Sequence, residues 1–419
     1  MTIRLTTLDN GLRVVTDSVG HVETASVGLW LGAGARQEDA TINGAAHLIE
    51  HMLFKGTARR SAQDIAEQIE AVGGALNAYT TRENTAYYAK VLKEDLALAV
   101  DIIGDMVMNS ALDGDELARE RSVVLQEIGQ TQDTPDDIIF DHMQGVAFPG
   151  QALGRPVLGT VETVAALDRD TLFDFIAGQY GAGRAVLSAA GRVDHDALVE
   201  LAADALGAMP AGGPAPAPQS GYHGGEARAV QDLEQVHLLF GFQGVSIHDD
   251  DLIAQAVYST VLGGGMSSRL FQEVREKRGL VYSVFSTTSS YADTGLFRIY
   301  AGTGAHQVAE LVPVICDEVA GLAGDLSDAE LDRGKAQLRA QVLMSLESMD
   351  ARCEQHALDL MRFGRVIGTE EMTTRIAAVD RAAIGRVGAR LLDGAPSLAA
   401  LGPVEGLESY HRIQSRLAA

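Results

Sequence analysis

The chain has 419 residues, of which 46% are hydrophobic and 21% charged, a balance that excludes disordered and fibrous proteins and predicts more than one core. The net charge of −24 argues against a nucleic-acid partner, because phosphate binding needs clustered Lys and Arg. The only two cysteines, Cys316 and Cys353, predict no disulfide framework and fit a reducing compartment.

The N-terminal segment predicts a strand, a turn at Asn10-Gly11 and a second strand. It lacks the apolar region of a signal peptide. No apolar run of the sequence is long enough to span a bilayer. We therefore expect a cytoplasmic protein with no membrane partner.

Residues 45–54 predict a helix that carries His47, Glu50 and His51. Positions i and i+4 share a helix face, so both imidazoles can bind one ion, and neutral imidazole is a preferred Zn²⁺ ligand. The pattern H-x-x-E-H is the inverted form of the zinc motif H-E-x-x-H. It predicts a zinc site in which Glu50 is the base that activates water. The alternative is that these are surface or capping residues.

The next predicted elements are a helix and a hairpin. Ser61 is a suitable N-cap for a helix over residues 61–72, and Gly73-Gly74 suits its C-terminal end. Residues 75–80 and 85–91 then predict paired strands. Further helices are predicted over residues 93–109, 113–129, 161–180 and 194–208.

A catalytic zinc site needs a third protein ligand and a position left for water. In the helix over 113–129, Glu120 and Glu127 lie two turns apart on a face that also carries Leu117 and Val124. Such a pair is unusual for a plain amphipathic helix, although a solvated face is the alternative. We predict Glu127 as the third ligand and Glu120 as the partner that orients a histidine.

A Pro- and Gly-rich segment, residues 210–225, predicts a linker between a catalytic domain, 1–209, and a second domain, 226–419. The pattern Leu-x-x-x-Glu-Leu-x-Arg occurs at both 112–119 and 326–333. A predicted helix over 268–277 and strands over 281–287 and 295–301 also repeat the first half. The sequence therefore predicts an α+β fold of two homologous domains, each a mostly antiparallel sheet packed with helices, related by duplication.

The second copy has none of the site chemistry. Aligning the repeats sets Ala256, Ser259, Thr260 and Gln341 opposite the four residues of the predicted site. If those four residues only stabilised the fold, both copies would need them equally. The asymmetry favours a functional site in the first half.

The chain resembles the pitrilysin/insulinase family of zinc metallopeptidases, and within it the beta subunit of the mitochondrial processing peptidase and its bacterial relatives. The spacing between His51 and Glu127 also matches that family. The resemblance covers nearly the whole chain and is strongest at residues 46–57, 74–83, 120–128, 153–159, 262–271 and 275–282.

The resemblance implies cleavage of peptides or presequences, held as an extended strand inside a chamber closed by two facing halves. It implies that Arg275 and Tyr282 bind substrate and steady the transition state, although by themselves they read as a solvated helix residue and a core residue. It also implies β-addition of substrate to the edge strand formed by Gly74, Ala75, Leu76, Asn77 and Ala78.

The resemblance further implies dimerisation. We favour a homodimer, because this chain carries both the metal motif and the Arg275/Tyr282 pair, and the alternative is a heterodimer with an inactive homologue. The acidic charge suggests basic peptide substrates. Two rival functions are a catalytically silent scaffold subunit, which would usually have lost motif residues, and a non-hydrolytic zinc module, which would more often use four ligands including cysteine.

Overall fold

The computed structural model describes residues 2–212 and 218–418, which are 51% helix and 20% strand. The strands are β1 (Thr2–Thr7), β2 (Arg13–Ser18), β3 (Thr24–Leu31), β4 (Ala75–Thr80), β5 (Thr85–Leu92), β6 (Ala185–Gly191), β7 (Gly225–Val230), β8 (Val236–Gly244), β9 (Val281–Ser290), β10 (Gly295–Thr303) and β11 (Ser397–Gly402). The predicted α+β fold class is confirmed.

The α-helices, apart from short 3₁₀ turns and one π-helical turn among the described residues, are as follows. They are α1 (Ala45–Leu53), α2 (Ala62–Ala71), α3 (Leu96–Asn109), α4 (Gly114–Gln132), α5 (Pro135–Ala147), α6 (Val161–Ala166), α7 (Arg169–Gln179), α8 (His195–Leu206), α9 (Leu252–Gly263), α10 (Val308–Asp325), α11 (Asp328–Ser345), α12 (Met349–Phe363), α13 (Thr369–Ala378), α14 (Arg381–Leu392) and α15 (Tyr410–Leu417). No helix in the described part of the chain has the length and apolarity needed to cross a membrane.

The first unit contains a six-stranded sheet in the order β1-β2-β6-β3-β5-β4. Among the described strands of this sheet, β2 and β6 form the one parallel pair. The central strand β3 is almost entirely buried, because its alternate side chains enter cores on both faces. Val27 and Leu29 pack with α1 and α3, while Trp30 packs with α12 on the other face. β4 lies at the edge of this sheet.

The second unit contains a five-stranded sheet in the order β7-β11-β8-β10-β9. Here too one pair, β7 with β11, is parallel. Apolar residues of α9, α10 and α14 cover one face of this sheet, and α5 packs against β8 and β11 on the other. Each unit is therefore a sheet between two layers of helix.

The units are not continuous in sequence. The first comprises 1–129, 155–218 and 344–367, and the second comprises 130–154, 219–343 and 368–419. Each half of the chain thus supplies one helix, α5 or α12, to the unit built mainly from the other half, a division that differs from the predicted ranges 1–209 and 226–419. Of the predicted linker, residues 213–217 lie outside the described part, and Gly225 already begins β7.

Most local predictions are confirmed, including both hairpins, β4–β5 and β9–β10. The single helix predicted over 161–180 is wrong, since α6 ends before Asp168 and α7 begins after it. The Asp168 carboxylate accepts a hydrogen bond from the Thr171 N–H at 2.8 Å, so it caps a new helix. The helix predicted over 268–277 is a π-helical turn at Phe271–Glu276.

Candidate metal centre

The motif residues lie on α1, a helix rich in good helix formers. Its buried positions are all apolar: Ala45, Ala46, Leu48, Ile49, Met52 and Leu53. His47, Glu50 and His51 occupy the remaining face at helical spacing. The side chains of His47 and His51 are 13% and 19% exposed. The packing of α1 in the core therefore fixes these side chains, while a small ligand can still reach them.

Three ligand atoms converge in front of α1. The Oε2 atom of Glu127 lies 3.8 Å from Nε2 of His47 and 3.6 Å from Nε2 of His51. These residues each offer one ligand atom, all within 4.8 Å of one another. Zinc bonds of about 2.0–2.2 Å in tetrahedral geometry separate neighbouring ligand atoms by roughly 3.3–3.6 Å. The spacing is close to what a zinc ion requires.

Glu127 reaches this position from α4. Leu117, Val124 and Ile128 anchor that helix in the core. Glu120 and Glu127 lie two turns apart on the side that faces α1, as their contacts with its histidines show. The helix therefore carries its acidic pair beside the apolar residues that enter the core, whereas the sequence placed both sets on one face.

Glu120 contacts the histidine ring from behind. Its Oε2 atom lies 3.0 Å from Nδ1 of His51, and its Oε1 atom lies 2.9 Å from Nζ of Lys55. A carboxylate at Nδ1 places the imidazole proton there and leaves the Nε2 lone pair for a metal. Lys55 in turn pairs with the charge of this buried carboxylate.

His47 is held in the neutral form. Burial, together with the nearby His51, lowers the pKa of His47 to about 4. Its Nδ1 atom is buried and has no hydrogen-bond partner within the described residues. A neutral ring with its Nε2 directed at two other ligand atoms is suited to metal binding.

The Glu50 carboxylate is largely buried, and one of its oxygen atoms accepts no hydrogen bond from the described residues. Burial raises the pKa of Glu50, and the charge of Glu127 adds to this effect, while a hydrogen bond with Thr80 opposes it. Its Oε2 atom is buried and unpartnered by any residue that the structure describes. A carboxylate of raised basicity with an unused acceptor is what a general base requires.

The edge strand β4 lies beside α1. Leu76 and Ala78 pack against the core that contains α1, whereas Ala75 and Asn77 are exposed. Gly74 precedes the strand and is not part of it. The role of these residues in binding substrate stays a prediction.

Arg275 and Tyr282 belong to the second unit. The Arg275 guanidinium lies 4.9 Å from the centre of the Phe271 ring. Tyr282 is 65% exposed, which excludes the interpretation of this tyrosine as a core residue. Their role toward substrate stays a prediction.

Two contacts of the site were not predicted. Lys55 lies four residues after His51, and that spacing could have suggested a nearby side chain, although α1 ends at Leu53. Thr80 could have been recognised from β4, because alternate residues from Leu76 onward share one face. The contact of Glu50 with Thr80, however, spans two elements and needs the folded structure.

The second half carries no counterpart. Ser259 on α9, opposite Glu50 in the repeat, hydrogen-bonds Ser286 at 2.9 Å. Within residues 2–212 and 218–418, no other group of three His, Cys, Asp or Glu side chains is placed to hold a metal. Among the described residues, the candidate metal ligands thus lie in the first unit.

The chain matches two family descriptions. Residues 13–161 match "Insulinase (Peptidase family M16)", and residues 166–338 match "Peptidase M16 inactive domain". The two matches together cover most of the chain. The second description agrees with the lack of site residues in that half.

Relatives extend the match over nearly the whole chain. It is 41% identical to an uncharacterized zinc protease of Streptomyces coelicolor, covering 96% of this chain and 90% of the relative. It is 36% identical to the uncharacterized zinc protease YmxG of Bacillus subtilis, covering 97% and 100%. The fold is that of a protease from Helicobacter pylori, with a TM-score of 0.88 at 22% identity over 96% and 99% of the two chains. The predicted metallopeptidase classification is confirmed, and the chain belongs to the insulinase family, peptidase family M16.

Proposed function

We propose that this chain is a zinc-dependent endopeptidase with His47, His51 and Glu127 as metal ligands. The observation that carries the proposal is the convergence of two Nε2 atoms and one Oε2 atom beside the buried carboxylate of Glu50. Two nitrogens and one oxygen leave a fourth position for water, as in catalytic zinc sites. The names of the relatives, zinc proteases, support the choice of metal.

Each side chain then has a distinct role. When bound, zinc polarises the scissile carbonyl and lowers the pKa of water. Glu50 accepts a proton from the attacking water at its free Oε2 atom and returns it to the leaving amine. Glu120 keeps the Nδ1 proton of His51 in place. Burial of Glu50 favours proton uptake, because it raises the basicity of the carboxylate.

We further propose that the substrate binds as an extended strand along β4. An edge strand has unpaired backbone groups that a peptide can pair with, and β4 lies next to α1. In this proposal Gly74 and the strand residues Ala75–Ala78 contact the peptide, and Arg275 and Tyr282 of the second unit also bind it. We also propose that the peptide is enclosed in a chamber and that the substrates are peptides or presequence-like segments. The family resemblance supports both proposals.

Fragment analysis of a peptide library tests the activity. The wild-type protein is incubated with the library, with and without a chelator, alongside Glu50→Gln, and products are identified by mass spectrometry. We expect zinc-dependent internal cleavage by the wild type and none by the variant, although both bind zinc. Zinc binding without cleavage of any peptide would favour the silent-scaffold alternative.

For assembly, we propose a cytoplasmic homodimer. Sedimentation of the purified chain, with activity measured on the same sample, tests this state. A dimer that cleaves peptides supports it. A monomer that becomes active only when a homologous inactive chain is added would instead establish the heterodimer.

We also propose that the acidic surface favours basic peptides. The net charge of −24 attracts cationic substrates at low ionic strength. Cleavage of a basic peptide is expected to slow between 20 mM and 500 mM salt, whereas cleavage of a neutral peptide of equal length changes little. Equal salt dependence for both peptides would contradict the preference.

A further inference from the structure

A buried carboxylate lies at the start of α1, and none of the roles given above uses it. Glu38 is only 2% exposed. Its Oε2 atom accepts hydrogen bonds from the backbone N–H of Gly44 at 2.9 Å and from Nδ2 of Asn43 at 2.8 Å. Its Oε1 atom accepts one from the backbone N–H of Ala46 at 2.7 Å. One side chain thus satisfies three donors around the first turn of the helix.

This helix cannot be capped in the usual way. The first N–H groups of a helix lack intrahelical partners and are normally satisfied by a Ser, Thr, Asp or Asn side chain at the N-cap. The N-cap of α1 is Gly44, with φ at 98°, a value that favours glycine. A Cβ atom there would lie 2.8 Å from the carbonyl oxygen of Leu158. The position therefore excludes a capping side chain, and Glu38 supplies the acceptors from outside the helix.

Other contacts hold Glu38 and its partners in place. Arg155 donates to the backbone carbonyl of Glu38, and Asn43 donates to the carbonyl of Pro156 at 3.0 Å. Burial raises the pKa of Glu38 to about 7, while its three donors act in the opposite direction by stabilising the ionised form. A negative charge at a helix N-terminus also interacts favourably with the helix dipole.

The two histidines of the centre are oriented by different means. His51 is fixed through Nδ1 by Glu120. His47 has no such contact, because its Nδ1 atom lacks a partner throughout the described residues. His47 directly follows Ala46, so the direction of its ring depends on the backbone of the turn that Glu38 holds.

We propose that Glu38 is a positioning residue for metal binding. By fixing the first turn of α1, it places the His47 imidazole where it meets His51 and Glu127. The inference rests on the zinc site proposed above. It predicts that a change at Glu38 weakens metal binding through His47 without touching the metal.

The test compares zinc affinity and ligand geometry in the wild type and Glu38→Gln. The amide keeps the size of the side chain but directs an NH₂ group at a backbone or Asn43 donor. We expect zinc affinity, measured by competition with a chromophoric chelator, to fall about tenfold or more, in the range known for outer contacts of metal ligands. The visible absorption bands of the Co²⁺-substituted protein should also shift. If Glu38→Gln does not fold, Glu38→Asp, whose carboxylate is one methylene shorter, is measured instead with the same expectations.

Asp194→Asn is the matched control. Asp194 caps α8 in the same unit by accepting from the Ala197 N–H at 2.9 Å. This variant should lower thermal stability but keep the zinc affinity and the Co²⁺ spectrum of the wild type. Failure of the wild type itself to bind zinc would refute the proposed function. Wild-type affinity and an unchanged Co²⁺ spectrum in the Glu38 variant would overturn only the role of Glu38.

Discussion

At the scale of single residues, Glu120 is expected to affect zinc affinity without binding the metal itself. Its carboxylate orients His51 and is itself paired with Lys55. We expect Glu120→Gln to weaken zinc binding about 10- to 100-fold, because the amide no longer holds the Nδ1 proton by charge. Competition with a chelator measures the change.

Glu116→Gln is the control for that experiment. Glu116 lies one turn earlier on α4 and pairs with Arg119 at the surface. Its loss should leave zinc affinity within a factor of two, since surface pairs contribute little. Equal zinc affinities of Glu120→Gln and Glu116→Gln would contradict the role of Glu120.

Candidate site residues could be predicted from the sequence where their arrangement follows from the spacing within a single helix. His47 and His51 follow from i, i+4 spacing, and Glu120 and Glu127 follow from two turns of α4. Glu38 was not predictable, because its carboxylate reaches α1 through a loop without periodicity. Its partners are mostly backbone N–H groups, which every sequence contains.

At the scale of elements, α12 is held to the first sheet by a buried polar group. Asp17 on β2 accepts hydrogen bonds from Arg352 at 2.7 Å and from His356 at 3.1 Å. Burial opposes ionisation, but these two bonds outweigh it and lower the pKa of Asp17. The carboxylate is therefore charged and needs its partners.

Arg352→Met should destabilise the first unit by about 3 kcal/mol, because it leaves a buried charge with one partner fewer. Urea unfolding followed by the fluorescence of Trp30, the single tryptophan, measures this change. The double variant Asp17→Leu/Arg352→Met should recover part of the loss. A double variant as unstable as the sum of both single variants would show that the two residues act independently.

An ion pair at the start of α11 predicts that the free energy of unfolding depends on pH. The Arg269 guanidinium bonds both oxygens of Glu330, at 2.7 and 3.1 Å, and lowers the pKa of Glu330 to about 2. Since the folded-state pKa lies below the ordinary 4.5, this stabilisation is complete above pH 4.5 and is lost as the pH falls towards 2.

Glu330→Gln should therefore reduce the free energy of unfolding by about 1–3 kcal/mol at pH 7, and the difference from the wild type should shrink below pH 4.5. Urea titrations followed by circular dichroism at pH 7 and pH 3 measure both. Glu405→Gln, an exposed change in the same unit, is the control. A difference that stays constant between the two pH values would contradict the assignment.

Element boundaries were predicted where local signals agree. Ser61 caps α2 and the hairpin β4–β5 follows, as expected from a capping residue, glycines and alternating strand residues. The break between α6 and α7 was missed, although Asp168 is a common capping residue. An Asp within an apolar helical pattern is ambiguous, because tertiary packing decides whether its side chain caps or points to solvent.

In the whole molecule, the proposed metal site lies in the same unit as Trp30. A ligand that binds only the folded state stabilises it by mass action. Removal of zinc should therefore lower the unfolding midpoint reported by Trp30 fluorescence, and added zinc should restore it. The His47→Ala variant should show no response to zinc. A midpoint that does not change in the wild type would contradict a site in this unit.

The two-sheet architecture was predictable from the repeat, but the exchange of α5 and α12 was not. Both helices present an apolar face that would cover either sheet, and short loops favour neighbours in sequence. The packing of residues such as Met143 on the second sheet and Cys353 on the first reveals the exchange. Amphipathic patterning identifies a buried face without identifying its partner.

Because of this reciprocal exchange, each half of the polypeptide packs one of its helices on the sheet that the other half forms. A protease that nicks the chain near residue 218 would not release two free domains, since each fragment retains a helix embedded in the other fragment's sheet. The nicked protein should migrate as one species on a gel-filtration column and separate only in denaturant. By the same reasoning, a fragment ending at residue 209 would expose Trp30 and its apolar neighbours and would aggregate.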